Sequence, residues 1–201
     1  MKFLQRQFAN RPRILNALHA LSLVDAMSQT NPDELALLSA YAAGASVAVE
    51  IGSFQGVSSA LIEASLGDNG LLYCVDPWPA VNGKADPSFA IFKRHLRRCN
   101  VKNRIRILRG RSQEVAGRVP REVDFMYIDG DHSRDAIAFD WSLARQIVRA
   151  KGIVCLHDVL VPDNEPWRTP ESSAYFRDVI RRDPEFSLAA SCHSLAVMRR
   201  V

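Results

Sequence analysis

The chain has 201 residues, of which 47% are hydrophobic and 24% charged, and its formal net charge is +4 at pH 7. This size and composition are typical of one globular domain with a substantial core. No apolar run approaches the roughly 20 residues of a membrane span, and the basic N-terminus lacks the apolar segment of a signal peptide. The charge is too mild to predict a nucleic-acid partner. The four cysteines form no C-x-x-C pair, which predicts reduced thiols in a cytoplasmic protein.

Helical patterns precede the first predicted strand. Residues 1 to about 28 predict one or two helices, with leucines near helical spacing. Another helix is predicted to begin at Thr30-Asn31-Pro32-Asp33-Glu34, where a capping residue is followed by proline and acidic residues, and to end near Ala43.

From residue 44 onward, predicted strands and helices alternate. The predicted strands are 47–51, 71–76, 105–108, 123–128 and 152–156, and the tail adds an antiparallel pair at 186–190 and 195–199. The predicted helices are one that ends near 66, then 89–99, a short one after 112, 134–150 and 171–182. The alternation predicts an α/β fold: a Rossmann-like three-layer sandwich with a mostly parallel seven-stranded sheet and a C-terminal antiparallel hairpin.

Acidic and histidine residues follow the predicted strands. Ligands of open α/β sheets bind beyond the carboxyl ends of the strands. One charged residue after a strand is ordinary solvation, but four of the five strands before the hairpin end in this way. We therefore expect one polar site, formed by Glu50, Asp76, Asp129, Asp131, His157 and Asp158.

The turn after the first predicted strand reads Glu50-x-Gly52-x-x-x-Gly56, which differs from the G-x-G-x-x-G of dinucleotide binders. The missing glycine hinders the close backbone approach of a pyrophosphate, and the carboxylate of Glu50 would attract an ammonium group instead. Asp76 ends the second strand, where an acidic side chain can accept hydrogen bonds from both ribose hydroxyls. The pattern predicts a nucleoside ligand without phosphates.

Four segments together resemble the class I S-adenosylmethionine-dependent methyltransferases. They are Val49-Glu50-Ile51-Gly52 with Gly56, Val75-Asp76-Pro77-Trp78, Tyr127-Ile128-Asp129-Gly130-Asp131-His132-Ser133, and His157-Asp158. The chain is most similar to the bacterial metal-dependent O-methyltransferase branch, which includes macrolide-sugar and cephalosporin-biosynthesis type methyltransferases. The resemblance covers about residues 45 to 160. It implies a methyltransferase domain that binds S-adenosylmethionine at 44–201, after N-terminal helices at 1–43 that serve the acceptor side or an oligomer contact.

The resemblance implies roles for residues on the methyl-donor side. Glu50 would contact the methionine amino group, directly or through water, and Asp76 would hold the ribose hydroxyls. Arg111 and Ser112 would border the adenine. The full set of implied cofactor-binding residues is Glu50, Gly52, Ser53, Gly56, Asp76, Pro77, Trp78, Arg111, Ser112 and Asp129.

On the acceptor side, the resemblance implies catalytic roles for His132, Asp129 and His157. It also implies Mg²⁺ or another divalent cation, held by Asp129, His157 and Asp158. His132 stands where catechol and caffeoyl-CoA O-methyltransferases have a catalytic lysine, and imidazole suits a general base near neutral pH. His157 and Asp158 stand where these relatives have an Asp-Asn or Glu-Asp pair of metal ligands. The histidine is a departure from that pattern, since imidazole suits softer metals than Mg²⁺.

Three interpretations of this departure stay open. His157 contacts the substrate beside a metal held by Asp129 and Asp158, or it binds a softer metal, or no metal binds and these side chains form a hydrogen-bonded network.

The leading functional hypothesis is an S-adenosylmethionine-dependent methyltransferase that acts on a small-molecule hydroxyl of a sugar, phenol or natural product, with or without a metal. An RNA or DNA methyltransferase is an alternative, but the chain lacks an Asn/Asp-Pro-Pro-aromatic run after the fourth strand. A non-catalytic cofactor-binding protein of the same fold is another. The expected partners are a small-molecule acceptor and a second copy of the chain in a homodimer, without a membrane.

Overall fold

The computed structural model describes residues 11–80, 86–101, 104–161 and 171–201. Within them the strands are β1 (Val47–Ile51), β2 (Leu71–Asp76), β3 (Ile105–Arg109), β4 (Val123–Ile128), β5 (Val148–Leu156), β6 (Phe186–Cys192) and β7 (Leu195–Arg200). The helices are α1 (Pro12–Ala20), α2 (Pro32–Ala42), α3 (Val57–Ser65), α4 (Pro87–Arg98), α5 (Ser112–Val115), α6 (Arg134–Ile147) and α7 (Glu171–Asp178). None of the helices in these ranges is long and apolar enough to cross a membrane.

The strands form one seven-stranded sheet in the order β3-β2-β1-β4-β5-β7-β6. Strands β1 to β5 are parallel, and β7 pairs antiparallel with both β5 and β6. The strand order switches direction between β1 and β4, which places a crevice at the carboxyl ends of these two strands. The predicted α/β fold, with its mostly parallel sheet and its C-terminal antiparallel hairpin, is confirmed.

Helices cover both faces of the sheet because the buried strands are nearly continuous apolar runs, whose successive side chains point to opposite faces. In β4, Met126 belongs to the same buried cluster as Trp141 of α6, whereas the preceding Phe125 belongs to the cluster that contains Phe92 of α4. A sheet packed on both sides leaves its strand ends as the place where polar groups can gather.

The start of α2 is fixed by a capping box. The Asn31 side chain accepts hydrogen bonds from the N–H groups of Asp33 and Glu34, at 3.1 and 3.0 Å. The Glu34 carboxylate accepts one from the Asn31 N–H at 3.1 Å. The predicted start of this helix is therefore confirmed, and its cap also fixes the position of the buried Glu34 side chain.

Some predicted boundaries are wrong. The helix predicted over 134–150 ends at Ile147, because Val148 already pairs with Val123 ahead of a bulge in β5. The last predicted helix is α-helical to Asp178, and a short 3₁₀ helix follows at Ile180–Arg182. Of the helices predicted before residue 28, α1 is observed, and positions 1–10 lie outside the described residues.

Candidate active site

A cavity of about 380 Å³ lies beyond the carboxyl ends of the parallel strands. The turns around it are held by backbone hydrogen bonds: Gly52 N–H donates to Val75 O and Asp129 N–H donates to Ile51 O, both at 2.8 Å. The walls come from the segment before α2, the turns after β1, β2, β3 and β4, and the first half of α6. This volume falls within the range of small-molecule sites, which is roughly 300 to 1,000 Å³.

Most of the residues predicted to bind a cofactor line this cavity. Those that do are Gly52, Ser53, Gly56, Asp76, Pro77, Arg111, Ser112 and Asp129. His132 also lines it, whereas Glu50, Trp78, His157 and Asp158 lie behind its walls.

Close packing explains the two glycines of the turn after β1. Gly52 has a φ of +92°, and a Cβ on it would lie 1.9 Å from the carbonyl oxygen of Asp129. Gly56 has a φ of +85°, and its Cβ would meet the Phe92 ring at 2.8 Å. Only glycine combines this backbone conformation with so little space. The spacing of these glycines therefore reflects contacts behind the cavity wall rather than room for a phosphate.

The Asp76 carboxylate is held in place by the backbone. Its Oδ1 accepts a hydrogen bond from Trp78 N–H at 2.8 Å, and its Oδ2 accepts one from Phe54 N–H at 2.9 Å. Burial raises the pKa of Asp76, and these two hydrogen bonds oppose that shift. A carboxylate oxygen can accept more than one hydrogen bond, so Asp76 can also bind a ligand diol.

Glu50 lies behind the cavity wall and is fully buried. Its Oε2 accepts hydrogen bonds from the hydroxyls of Ser53, at 2.7 Å, and of Ser59. Its Oε1 has no hydrogen-bond partner among the described residues. Burial raises the pKa of Glu50, and the nearby hydroxyls of Ser58, Ser59 and Ser53 oppose that shift. The predicted contact of Glu50 with a ligand ammonium group is therefore not direct in this geometry, and Ser53 links the carboxylate to the cavity wall.

Trp78 belongs to the core rather than to the cavity. Its side chain is 1% exposed, and its ring centroid lies 4.8 Å from those of both Phe89 and Phe92. The indole N–H donates to Phe54 O at 2.8 Å. The indole packs against α4 and supports the turn from behind, so this geometry does not support the predicted contact of Trp78 with the cofactor.

His132 lines the cavity, and Asp158 lies next to it behind the wall. The Nε2 atom of His132 lies 3.5 Å from Asp158 Oδ2. Asp158 is buried and has a φ of +53°, and its carbonyl oxygen accepts a hydrogen bond from the Ser172 hydroxyl at 2.7 Å. Unusual backbone conformations of this kind cluster at functional sites. A partly exposed imidazole backed by a fixed carboxylate is the arrangement of a general base.

His157 lies beneath the cavity among three carboxylates. Its Nε2 is 3.2 Å from Glu34 Oε2, and its Nδ1 is 3.0 Å from Asp129 Oδ1 and 3.7 Å from Asp158 Oδ2. The Asp129 oxygen lies off the N–H direction, so that contact is an ion pair rather than an aligned hydrogen bond. Burial lowers the pKa of His157, but interactions with Asp129, Glu34 and Asp158 outweigh it and raise the pKa to about 10. His157 is therefore an imidazolium at neutral pH.

This geometry does not fit the predicted metal centre of Asp129, His157 and Asp158. An imidazole that binds a metal is neutral and directs a lone pair at the ion, whereas both nitrogens of His157 face carboxylates. Across the described ranges, no group of three or more His, Cys, Asp or Glu side chains is placed to hold a metal ion. Of the three interpretations left open by the sequence, the geometry supports the hydrogen-bonded network.

Sequence reasoning missed several members of this network. The Tyr127 hydroxyl donates to Asp129 Oδ2 at 3.0 Å and lies 3.2 Å from Thr30 Oγ1. Glu34 Oε1 accepts hydrogen bonds from the N–H and the hydroxyl of Ser194, at 2.9 and 2.8 Å. In the sequence, Tyr127 reads as a strand position and Glu34 as a helix cap. Only the packing of α2 on the sheet shows their second role.

The segment before α2 also lines the cavity, from Met27 to Thr30. The Met27 N–H donates to the Gln55 side chain at 2.7 Å, which fastens this segment to the turn after β1. The N-terminal region therefore contributes to the same site as the strand ends.

Comparisons with known proteins identify the domain family. A family model described as a methyltransferase domain matches residues 49–159, which is more than half of the chain. A search of curated proteins gives no significant match.

Several solved structures share the fold. Cofactor-bound Rv0187 from MTB has a TM-score of 0.69 at 16% identity, over 99% of this chain and 94% of that one. An O-methyltransferase from Bacillus cereus, in complex with SAH, has a TM-score of 0.66 at 21% identity, over 96% of this chain and 89% of that one. The O-methyltransferase TomG from Streptomyces achromogenes, in complex with SAM, has a TM-score of 0.69 at 16% identity, over 92% of this chain and 86% of that one. At these identities the likeness shows the fold, and the match of the family model shows that the chain belongs to the methyltransferase domain family.

Proposed function

We propose that this protein is an S-adenosylmethionine-dependent methyltransferase that transfers a methyl group to a hydroxyl of a small molecule, such as a sugar, a phenol or a natural product. The observation that carries the proposal is the position of His132. It lines the same cavity as Gly52 and Asp76, so a proton acceptor faces a nucleoside-sized site. Two solved structures of this fold, from Bacillus cereus and Streptomyces achromogenes, are O-methyltransferases bound to SAH and SAM, which supports the same chemistry here.

The donor side fits S-adenosylmethionine, which supplies an electrophilic methyl group on a sulfonium when bound. Asp76 carries a fixed carboxylate that accepts hydrogen bonds from ribose hydroxyls. The Ser53 hydroxyl, backed by Glu50, lies on the wall after β1 and suits the polar end of the ligand. Arg111 and Ser112 lie on the wall after β3, where we expect the base.

The acceptor side provides a base and a group that orients the hydroxyl. Methyl transfer from a sulfonium is an in-line displacement, so most of the catalysis is positioning and removal of the hydroxyl proton. His132 takes that proton, and Asp158 stabilises the imidazolium that forms. Asp129 lines the cavity with its carboxylate fixed between Tyr127 and His157, so it can accept a hydrogen bond from the acceptor. His157 holds Asp129 in position and does not reach the substrate.

A divalent cation has no step in this proposal, because His157 already places a positive charge among the carboxylates that would bind the metal. The homodimer and the cytoplasmic location stay predictions.

The test is methyl transfer by the purified protein. S-adenosylmethionine with a labelled methyl group is incubated with sugar, phenol and hydroxy-acid acceptors, and the products are located by mass spectrometry. The proposal expects label on an oxygen atom and release of S-adenosylhomocysteine. Label on nitrogen of a nucleobase would favour the nucleic-acid alternative. Binding of S-adenosylhomocysteine without turnover of any acceptor would favour a non-catalytic protein of this fold.

A further inference from the structure

Asp140 is a buried carboxylate on the cavity wall that the roles above leave unused. It lies on α6, is 2% exposed and lines the cavity. Its Oδ1 has no hydrogen-bond partner among the described residues. A buried carboxylate oxygen without a partner is costly, and such an atom in a folded protein calls for an explanation.

The surroundings of Asp140 do not neutralise its charge. Burial raises the pKa of Asp140 to about 6, the Ser112 hydroxyl lowers it, and the charge of Asp131 raises it further. The group that completes this site should therefore donate a hydrogen bond to the carboxylate.

The position of Asp140 selects which part of the ligand it meets. Asp140 and Ala136 are one helical turn apart on α6, and both line the cavity. Asp140 interacts with Ser112 of the wall after β3, and its Oδ2 would lie 3.8 Å from a Cβ on Gly130. This wall is separate from Asp76, which serves the ribose. S-adenosylmethionine has three kinds of hydrogen-bond donor: the methionine ammonium, the ribose hydroxyls and the exocyclic amino group of adenine. The first two belong to the walls after β1 and β2, which leaves the amino group for the wall that contains Asp140.

We propose that Asp140 accepts a hydrogen bond from the 6-amino group of the adenine and so selects adenine over purines that carry an oxygen at this position. The inference rests on the proposed donor site and adds a residue from α6 to the base-binding wall. A purine with a 6-oxo group would place an acceptor against the carboxylate, where the two oxygens repel each other.

The test compares S-adenosylhomocysteine with S-inosylhomocysteine by isothermal titration, in the wild type and in Asp140→Asn. The wild type should prefer the adenine ligand by about tenfold or more, as expected for a hydrogen bond to a charged acceptor. In Asp140→Asn the preference should shrink or reverse, because an amide can turn its NH₂ group toward the 6-oxo oxygen. Asp135→Asn is the matched control, since Asp135 is exposed on the same helix, and it should leave both affinities unchanged.

The outcomes separate the inference from the proposed function. Equal affinity of the wild type for the two ligands overturns the inference, and so does a preference that survives in Asp140→Asn. If Asp140→Asn does not fold, the wild type is titrated with the N6,N6-dimethyl analogue of S-adenosylhomocysteine, which has no N–H to donate to Asp140. Binding of this analogue as tight as that of S-adenosylhomocysteine would overturn the inference. Failure of the wild type to bind S-adenosylhomocysteine would instead overturn the proposed donor site itself.

Discussion

Glu34 Oε2 lies 3.2 Å from His157 Nε2, although the two residues are 123 positions apart and both side chains are buried. The contact ties α2, which precedes the sheet, to the end of β5 beneath the cavity. Since the residues just before α2 line the cavity, this ion pair also fixes one of its walls.

Replacing Glu34 should destabilise the protein by removing the charge that faces His157. In Glu34→Gln the single amide oxygen can replace only one carboxylate oxygen, so the variant keeps either the cap on α2 or the hydrogen bonds from Ser194. The imidazolium also loses a buried counter-charge. We expect a loss of about 3 kcal/mol in the free energy of unfolding, measured by denaturant titration.

The matched control is Asp33→Asn, one residue earlier on the same helix. The Asp33 carboxylate lies 3.3 Å from His193 Nε2, but both side chains are exposed. The expected change is at most about 0.5 kcal/mol. Equal losses in the two variants would contradict the importance assigned to the buried pair.

The stability that the Glu34–His157 pair contributes should be lost at both acidic and alkaline pH. Burial opposes both charges, but hydrogen bonds from His157, Asn31 and Ser194 lower the pKa of Glu34 from 4.5 to about 2. Interactions with Asp129 and Glu34 raise the pKa of His157 from 6.5 to about 10. The contribution of Glu34 is complete above pH 4.5 and is lost as the pH falls through 2. That of His157 is complete below pH 6.5 and is lost as the pH rises through 10.

The alkaline half of this dependence is the easier one to measure. Between about pH 6 and about pH 9, the free energy of unfolding of the wild type should fall more than that of His157→Gln. In this range the unfolded wild-type chain releases the His157 proton whereas the folded protein keeps it, and the variant has no such proton. The same fall in both proteins would show that other groups cause it.

Gly52→Ala should disrupt the turn after β1. The added Cβ would lie 1.9 Å from the carbonyl oxygen of Asp129, in a backbone conformation that favours glycine. We expect a loss of about 3 kcal/mol or more, or failure to fold. Gly117→Ala is the control, because a Cβ at Gly117 meets nothing within 4 Å. Normal stability of Gly52→Ala in thermal unfolding would contradict the described packing.

His132→Gln should remove the general base and spare the donor site. General-base catalysis contributes about 10²- to 10⁴-fold, so kcat should fall by at least about 100-fold while the affinity for S-adenosylhomocysteine stays unchanged. His193→Gln, at an exposed histidine in the turn between β6 and β7, should leave kcat unchanged. Full activity of His132→Gln in the methyl-transfer assay would assign the base to another group.

Chelation should leave the protein unaffected. Because His157 supplies the positive charge among the carboxylates, EDTA or added Mg²⁺ should change neither the melting temperature nor the rate of methyl transfer. A rate that rises with Mg²⁺ and loses this response in Asp129→Asn would restore the metal-assisted interpretation.

Periodicity in the sequence predicts the fold well, because buried parallel strands are continuous apolar runs. The predicted strands at 71–76 and 123–128 match β2 and β4. The boundary between α6 and β5 is missed because it depends on Val148 pairing with Val123, a contact that local pattern does not show.

The donor side of the site is also largely predictable, because its residues follow consecutive strands. Glu50 and Trp78 are the exceptions, since their places in the motif do not show that both side chains are buried behind the cavity wall. The network beneath the cavity is not predictable in this way: Glu34, Tyr127 and His157 meet only through tertiary packing. The role of His157 as a buried cation depends on that packing and reverses the metal-ligand interpretation of the sequence.

The central claim is that the cavity beyond the strand ends binds S-adenosylmethionine. Titration calorimetry with S-adenosylhomocysteine, on the wild type and on Asp76→Asn, tests it most directly. We expect one binding site per chain in the wild type. In a folded Asp76→Asn variant the affinity should be about tenfold weaker, because one charged acceptor for the ribose is lost. No binding by the wild type, or equal binding by the two proteins, would contradict the claim.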